Sequence, residues 1–453
     1  MQTTEPDTNT RCKNLILIVG SNPLPNYITT MMLKPQNVFL IYSEATNKVK
    51  NSLKNSLSAA IQNINIDTSA KISSDVRNIN DVFEHQIINV IKNDLQVSHL
   101  NYTGGTKQMA SHILKLWYSY FDDPAEASKR TSYLDDTKEL LVFDNNETLK
   151  INVSLDFQVL STLHSINDIK PRTYPNRIPP VDYLNQDSLH NLIGLRFITK
   201  PDSKPEINRN LKAQMDSFFN TPNYENNKKK KKNRLKQDEI DKQYAEIVKK
   251  ELTGFIGCFG DQPQLNFGNT NAFSVLNWVT TGEYIHGKWI ENWVADLVMR
   301  SLGVQNANLK RINGAYHFTD DSDMNCIIGV GCDSSNESKG PKKFKRKFEA
   351  DILIIRGHRL YYISCTRSSH VPTCKGKLFE AIVRSRQIGG DLARCALLST
   401  LPPGGDKDWG VEAIKADVID GWDPPNHPIV FGTEDLYNWE NGQFRSLNEW
   451  FSK

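Results

Sequence analysis

Two groups of residues in this chain have types and spacings suited to chemistry. The first is Thr103-Gly104-Gly105-Thr106-Lys107. Adjacent glycines let a backbone approach a ligand closely and aim N–H groups at an anion, and two hydroxyls and a lysine charge stand beside them. A second loop of small polar groups, Gly20-Ser21-Asn22-Pro23-Leu24-Pro25-Asn26, is placed to face the same ligand. Neither loop reads GxxxxGK followed by Ser or Thr, nor GxGxxG, so a P-loop triphosphatase and a dinucleotide-dependent oxidoreductase are disfavoured. The second group is a set of acids and lysines far downstream. Metal-dependent phosphodiester cleavage needs carboxylates to hold Mg²⁺ or Mn²⁺, and a lysine or similar group to orient water and offset transition-state charge. Asp351 lies in the apolar run Ala350 to Ile355, with Glu349 two residues before it, so both point to one side of a strand. An acid among four aliphatic neighbours is costly to bury unless something binds it. Glu291 falls on one helical stripe with Val294, Ala295 and Val298. In the next apolar run, an acid, one residue and then a lysine are wanted, but the chain has Ser364-Cys365-Thr366. Lys377 and Glu380, with Arg384 continuing their face, are the groups that a neighbouring helix would return to the site. Phe379, Ile382 and Val383 are expected to form the buried stripe beside them. Each motif also has a plainer reading: a tight turn with a helix cap, an ion pair at a stripe's edge, or a solvated charged face.

The elements needed to position these groups are visible as periodicities. Leu15 to Gly20 and Val38 to Tyr42 read as fully buried parallel strands, and Asn80 to Leu95 carries apolar residues at helical spacing. A short strand, Val97 to Tyr102, leads into the glycine turn, and a helical run follows to about Tyr120. Strand, crossover, strand and helix is the layout of an open α/β sheet, whose ligands sit outside the carboxyl ends of the strands. From about 276 the pattern is a helix from Trp289 to Leu302, then strands Phe348 to Ile355 and Leu360 to Cys365 around the turn Arg356-Gly357-His358-Arg359. A helix from Gly376 to Ile388 follows, stopped by Gly389-Gly390. Ala396-Leu397-Leu398 and Pro428-Ile429-Val430-Phe431 supply further strands. The stretch 156–275 is weakly organised, with Pro171, Pro175, Pro179 and Pro180 and an unbroken basic run from Lys228 to Lys232.

Composition sets the outer bounds. The 453 residues suggest two or three domains. With 38% hydrophobic and 24% charged residues the chain is ordinary for a globular protein, which argues against wholesale disorder and a fibrous fold. Fifty-five basic against 52 acidic side chains leave a net charge of +3, so any nucleic-acid surface must be local. Lys342-Lys343-Phe344-Lys345-Arg346-Lys347 is such a stretch, with an aromatic ring available to stack on a base. Seven cysteines with no CxxC pair are neither a disulfide framework nor a structural zinc site. No apolar run has membrane-spanning length and the start is polar, so a cytoplasmic protein is expected.

Taken together the motifs are familiar. NYTGGTKQMA after a strand resembles the ligand motif of CARF (CRISPR-associated Rossmann fold) domains. GKWIENWVADL, FEADILIIRGHRLYYISCT and KGKLFEAIVRSRQIGGDLAR resemble successive blocks of a restriction-endonuclease-like, PD-(D/E)xK domain. In this order they resemble the CRISPR-accessory nucleases that join the two. The resemblance implies an α/β chain: a Rossmann-like sensor over residues 1–155, a connecting region over 156–275, and a nuclease-like domain over 276–453. It also implies a homodimer that binds a cyclic oligoadenylate, often the tetramer, and then cleaves single-stranded or duplex nucleic acid with Mn²⁺ or Mg²⁺ in type III CRISPR antiviral defence. Gly20, Ser21, Asn22 and Thr103 to Lys107 would hold the ring. Glu291, Asp351 and Glu380 would be metal ligands, with Lys377 the catalytic lysine. The departure at Ser364 and Thr366 leaves open a sensor fused to a decayed nuclease that only binds. Ring cleavage by the sensor itself is a third reading.

Overall fold

The computed structural model describes residues 12–73, 75–166, 169–171, 189–200, 205–220, 287–333, 349–404, 409–420 and 428–452. Both basic runs (228–232 and 342–347, with Phe344), Cys258, and Pro175, Pro179 and Pro180 lie outside the described residues.

The first sheet contains β1 (Asn14–Ile18), β2 (Asn37–Ile41), β3 (Asn65–Asp67), β4 (Ser98–Asn101), β5 (Thr131–Asp135), β6 (Leu140–Phe143) and β7 (Thr148–Lys150). Their order is β3-β2-β1-β4-β5-β6-β7, parallel as far as β5 and antiparallel beyond it. Every residue of β1 is buried because helices cover both faces. Leu15 and Leu17 pack with Leu24, Tyr27 and Ile28 of the Leu24–Leu33 helix on one side. Ile16 and Ile18 pack with Met109, Ile113 and Trp117 of the Lys107–Ser119 helix on the other. The layout is Rossmann-like, and the chain reverses direction across the sheet between β1 and β4. That junction is the switch point where open α/β sheets leave a crevice.

The second sheet takes β8 (Lys170–Pro171), β11 (Lys310–Ile312), β12 (Ala315–Thr319), β13 (Asn325–Asp333), β14 (Glu349–Arg356), β15 (Arg359–Cys365), β16 (Arg394–Leu398) and β17 (Ile429–Phe431). The path from β11 to β15 is antiparallel, and β15-β16-β17 is parallel. The helices Trp289–Ser301, Thr433–Glu440 and Arg445–Ser452 cover one face, against Ile352, Ile354, Tyr361, Ile363 and Cys365. The Val371–Gly389 helix covers the other, against Leu353, Ile355, Leu360 and Tyr362.

The weak apolar pattern of 156–275 conceals packed elements. The Phe157–Leu163 helix lies against the Asn47–Ala60 helix, and β8 pairs with β13. The Leu189–Phe197 and Arg209–Asn220 helices give Ile193, Phe197, Leu211 and Met215 to the core around Trp289 and Trp293. They are joined by the antiparallel pair β9 (Ile198–Thr199) and β10 (Glu206–Ile207). A Cβ on Gly194 would lie 2.1 Å from the Trp293 ring, so the helix touches that indole through a residue no hydrophobic count would score.

One expectation is corrected. Phe379 and Val383 are 46% and 53% exposed, so they do not form the buried stripe of their helix. That stripe is Cys374, Leu378, Ala381, Ile382, Ser385 and Ile388. The helix begins at Val371, with proline in its first turn, and the 3.6-residue period counted from Cys374 turns Phe379 and Val383 outward.

A single hydrophobic cluster runs from β1 and β2 through the Phe157–Leu163 helix into β14, β15 and the Val371–Gly389 helix, so the two sheets share a core. Leu155 N donates to Gly357 O (2.9 Å), and Arg359 Nη2 donates to Asp136 O (2.8 Å). Among the described residues no helix is long and apolar enough to cross a membrane, and Cys12, Cys326, Cys332, Cys365, Cys374 and Cys395 are free thiols.

Candidate functional site

The crevice at the carboxyl ends of β1 and β4 is built from backbone. A Cβ on Gly104 would fall 1.9 Å from Ile18 O, and one on Gly105, at φ +80°, would fall 2.4 Å from Ile18 Cγ2. Gly20 faces them, its missing Cβ 3.0 Å from Gly105 N. The two loops therefore nest only because all three positions lack side chains. Thr106 caps the Lys107–Ser119 helix, its Oγ1 accepting from Met109 N (3.2 Å). Thr103 Oγ1 accepts from Leu134 N (2.7 Å), and Thr103 N donates to Asn101 Oδ1 (3.2 Å). Ser21, Gly105, Thr106 and Lys107 are exposed. Asn22 is half-buried, with its Oδ1 accepting from Leu24 N (3.1 Å). A helix N-terminus and a lysine charge thus open onto a crevice with no side-chain bulk at its floor, suited to a phosphate-bearing ligand.

The polar floor behind the turn was not singled out in the sequence. His99 is buried, and its Nε2 lies 2.7 Å from Ser132 Oγ, to which Asn101 Nδ2 also donates (3.1 Å). Burial, with the Arg130 charge adding to it, pushes His99 down to about 3, so the ring stays neutral. Tyr102 and Tyr118 both donate to Asp144, at 2.9 Å each.

The second site lies where β14, β15 and the Val371–Gly389 helix meet. Asp351 Oδ2 accepts from Cys365 N (2.7 Å) and from Ser364 Oγ (3.1 Å). Ser364 thus occupies a position beside Asp351 as a hydroxyl donor, where a second carboxylate would repel it. Burial raises the Asp351 carboxyl above its ordinary value. The Cys365 N–H, the Lys377 charge and the Ser364 hydroxyl oppose that rise, and Glu349 adds to it. Lys377, half-buried, is therefore in electrostatic reach of Asp351, as the helix spacing requires. Glu291, buried, comes from the opposite face of the sheet. The buried Cys365 thiol is raised well above its ordinary value by burial and by the Asp351 and Glu291 charges, with Lys377 opposing. Glu380 lies one turn beyond Lys377, half-exposed, with Arg384 at 3.7 Å. Its charge is felt at Tyr362 together with that of Asp351.

One basic residue at this edge escaped the sequence reading. Arg367, just after Thr366, is held by Asp216 of the Arg209–Asn220 helix (2.9 Å), and Lys212 also reaches Asp216 (2.7 Å). Its partner is more than a hundred residues away in a stretch without strong periodicity.

A divalent cation fits these residues only as a sparsely ligated ion. Among the described residues no three His, Cys, Asp or Glu side chains come together to hold a metal. Mg²⁺ commonly rests on one or two carboxylates, with water and substrate phosphate completing its shell. Both hydrogen bonds to Asp351 end on Oδ2, and its raised carboxyl is in an environment that a cation would relieve.

No protein-family model matches the chain, and no curated protein matches its sequence. Solved structures do match its fold. Protein VC1899 from Vibrio cholerae superimposes with a TM-score of 0.59 at 12% identity, over 97% of this chain and 98% of its own. Can2 from Sulfobacillus thermosulfidooxidans, in complex with cyclic tetra-adenylate, superimposes with a TM-score of 0.56 at 13% identity, over 95% and 98%. The fold thus recurs over nearly the full length of proteins of nearly unrelated sequence.

Proposed function

We propose that this chain is a cyclic-oligoadenylate-activated, metal-dependent nuclease of type III CRISPR defence, acting on DNA or RNA as a homodimer. In this reading residues 1–155 sense the ring, 156–275 connect, and 276–453 form a restriction-endonuclease-like unit. The observation that carries it is the nest of Gly20, Gly104 and Gly105 at the sheet's switch point, a floor stripped of side chains beneath a helix N-terminus and Lys107. The full-length likeness to Can2 in its cyclic tetra-adenylate complex supplies the ligand class. A two-fold ring suits a two-fold dimer, each copy offering Gly20, Ser21, Asn22 and Thr103 to Lys107 to half of the ligand.

In the second unit Asp351, with Glu291 or Glu380 as the further acid, would hold Mn²⁺ or Mg²⁺, which supplies a nucleophilic hydroxide at neutral pH. Lys377 orients the attacking water and offsets charge growing on the phosphate. Ser364 and Cys365 N fix the Asp351 rotamer. The test is cleavage of plasmid and single-stranded substrates with cyclic tri-, tetra- or hexa-adenylate, with and without Mn²⁺. Ring-dependent and Mn²⁺-dependent cutting that disappears in Asp351→Ala supports the reading, and unimpaired cutting in that variant removes Asp351 from it. A second reading, a non-catalytic effector that binds nucleic acid when the ring is bound, is favoured by one observation: Ser364 stands where a second acid would complete the ligand set. Ring-dependent DNA binding with no cutting under any divalent metal would select it.

A further inference from the structure

Two chains of contact leave the ligand crevice and end on different sides of the Asp351–Lys377 pair. The first starts at Asn22. Gly390, at φ +68°, follows the Val371–Gly389 helix, and a Cβ there would lie 2.4 Å from Asn22 Oδ1 and 2.8 Å from Nδ2. The Asn22 carboxamide is therefore seated on bare backbone at the end of the helix that carries Lys377. The second starts at Thr103, which accepts from Leu134 N. The turn after β5 then grips the β14–β15 hairpin. Arg359, 4% exposed, donates to Asp136 O (2.8 Å) and pairs with Glu139 (3.2 Å). That hairpin carries Asp351.

Inside the second unit the two arms lie side by side. At the sensor end Gly389 packs on Leu360, its absent Cβ 2.7 Å from that side chain. Midway, the Glu380 and Arg384 charges are felt at Tyr362. At the far end the Lys377 charge is felt at Asp351, which is bonded to Ser364. From Gly390 back to Lys377 is about 20 Å of helix at ~1.5 Å per residue. From Arg359 to Ser364 is about 17 Å of strand at ~3.3 Å per residue. Two rigid rods of similar length, one seated on a loop of the crevice and the other held by the β5–β6 turn that Thr103 adjoins through Leu134, set the spacing of a charge pair at the far end.

Building on the cyclic-oligoadenylate reading above, we propose that the Asn22–Gly390 seat and the Arg359 grip are the contacts through which ring binding sets the register of Lys377 against Asp351. A ring that binds one arrangement of the two loops better than another biases the rods by that difference in affinity and no more. The coupling is then reciprocal: whatever factor the ring applies to the site's metal-bound arrangement, the metal applies to the ring.

The experiment uses the full chain and three variants: Gly390→Ala, Glu139→Gln and Arg359→Lys. For each, cyclic tetra-adenylate affinity, Mn²⁺-dependent cleavage without and with saturating ring, and amide hydrogen exchange across 384–392 on ring addition are measured. Expected are unchanged unstimulated cleavage in all three variants and retained ring binding in Glu139→Gln and Arg359→Lys, with the stimulation factor at saturating ring reduced on the order of tenfold, within the range usual for coupling between sites. Ring-induced exchange changes at 384–392 should vanish in Gly390→Ala. Should that variant fail to fold, Glu139→Gln and Arg359→Lys, which change no backbone, decide. Stimulation and exchange responses equal to those of the unmodified chain in every folded variant overturn the coupling alone. Failure of the unmodified chain to bind any cyclic oligoadenylate overturns the functional reading and the coupling with it. If the chain binds the ring but never cleaves, the exchange readout still decides the coupling.

Discussion

The crevice and the acid cluster are built on opposite plans. The crevice is made of one short stretch of backbone and a loop facing it, and its specificity lies in what Gly20, Gly104 and Gly105 lack. The proposed metal site would draw side chains from three stretches: Glu291 on one face of the sheet, Asp351 with Ser364 in the hairpin, and Lys377 on the helix over the other face. A backbone site tolerates little substitution but needs few residues. A side-chain site can exchange a member and keep its frame. The first plan suits recognition of a phosphate ring and the second suits chemistry that can drift or decay.

The contrast is sharpest under substitution at the cluster. Asp351→Ala is expected to bring Mn²⁺-dependent cleavage to background while leaving the ring's thermal stabilisation intact, measured by plasmid nicking beside a melting curve. Lys377→Ala should lower the single-turnover rate by about 10²–10³, the usual loss for one transition-state donor. Glu380→Ala, whose side chain is half-exposed beside Arg384, should cost much less than Glu291→Ala if Glu291 is the further acid. Equal losses would move the metal toward the helix.

The crevice should break differently. Gly104→Ala drives a methyl against Ile18 O, so either the turn or β1 must shift, at about 1–3 kcal/mol of stability. Ring-dependent stabilisation should disappear with it. In the unmodified chain that stabilisation is expected to be about 2.7 kcal/mol at 100 times the dissociation constant. Retained ring binding in Gly104→Ala would show that the nest is merely a tight turn.

How much of this was legible follows from the same contrast. The nest could be read in the sequence because its signal is local: a buried apolar strand, two glycines and a helix start within a few residues. Asp351 was legible because an acid among Ile352 to Ile355 is anomalous on its own strand. The partner at Ser364 was legible only as an absence, and its hydrogen bond to Asp351 needed the β14–β15 register of Ile352 with Ile363. Arg367 with Asp216, and the Gly194 contact to Trp293, were not legible. Both join segments far apart in sequence through residues that carry no periodicity. The buried stripe of the lysine-bearing helix was only partly legible, because Phe379 and Val383 are apolar yet exposed while the stripe is completed by Cys374, Ala381 and Ser385, which a count of large apolar residues passes over.

Buried histidines separate the sensor from the seam. His99, behind the glycine turn, is pushed down to about 3, and His358, at the hairpin turn against the sensor, down to about 4, in both cases first by burial. A histidine held neutral in the fold takes up its proton only on unfolding. Stability is therefore complete above the ordinary histidine range and is lost as pH falls from about 6.5 toward 4, by up to about 1.4 kcal/mol per pH unit for each ring. Urea midpoints measured across that window should fall with acid. In His358→Gln the slope should be shallower by one proton, and an unchanged slope would place the uptake elsewhere.

Asp351 carries the smallest and most discriminating effect. Its carboxyl is raised in the fold, so over the range between its unfolded and folded values the native state holds the proton that the unfolded state has released. Stability therefore declines as pH rises through that range, and at neutral pH the charged group is a net burden on the fold. Asp351→Asn keeps an oxygen to accept from Cys365 N and removes the charge. It should melt slightly higher than the unmodified chain near pH 7, with the difference vanishing at acid pH. Mn²⁺, which offsets the same burden, should raise the melting temperature of the unmodified chain and leave the variant unmoved. A variant that melts lower at neutral pH, or one that gains as much from Mn²⁺ as the unmodified chain, would separate Asp351 from any cation and leave the crevice as the functional half of the molecule.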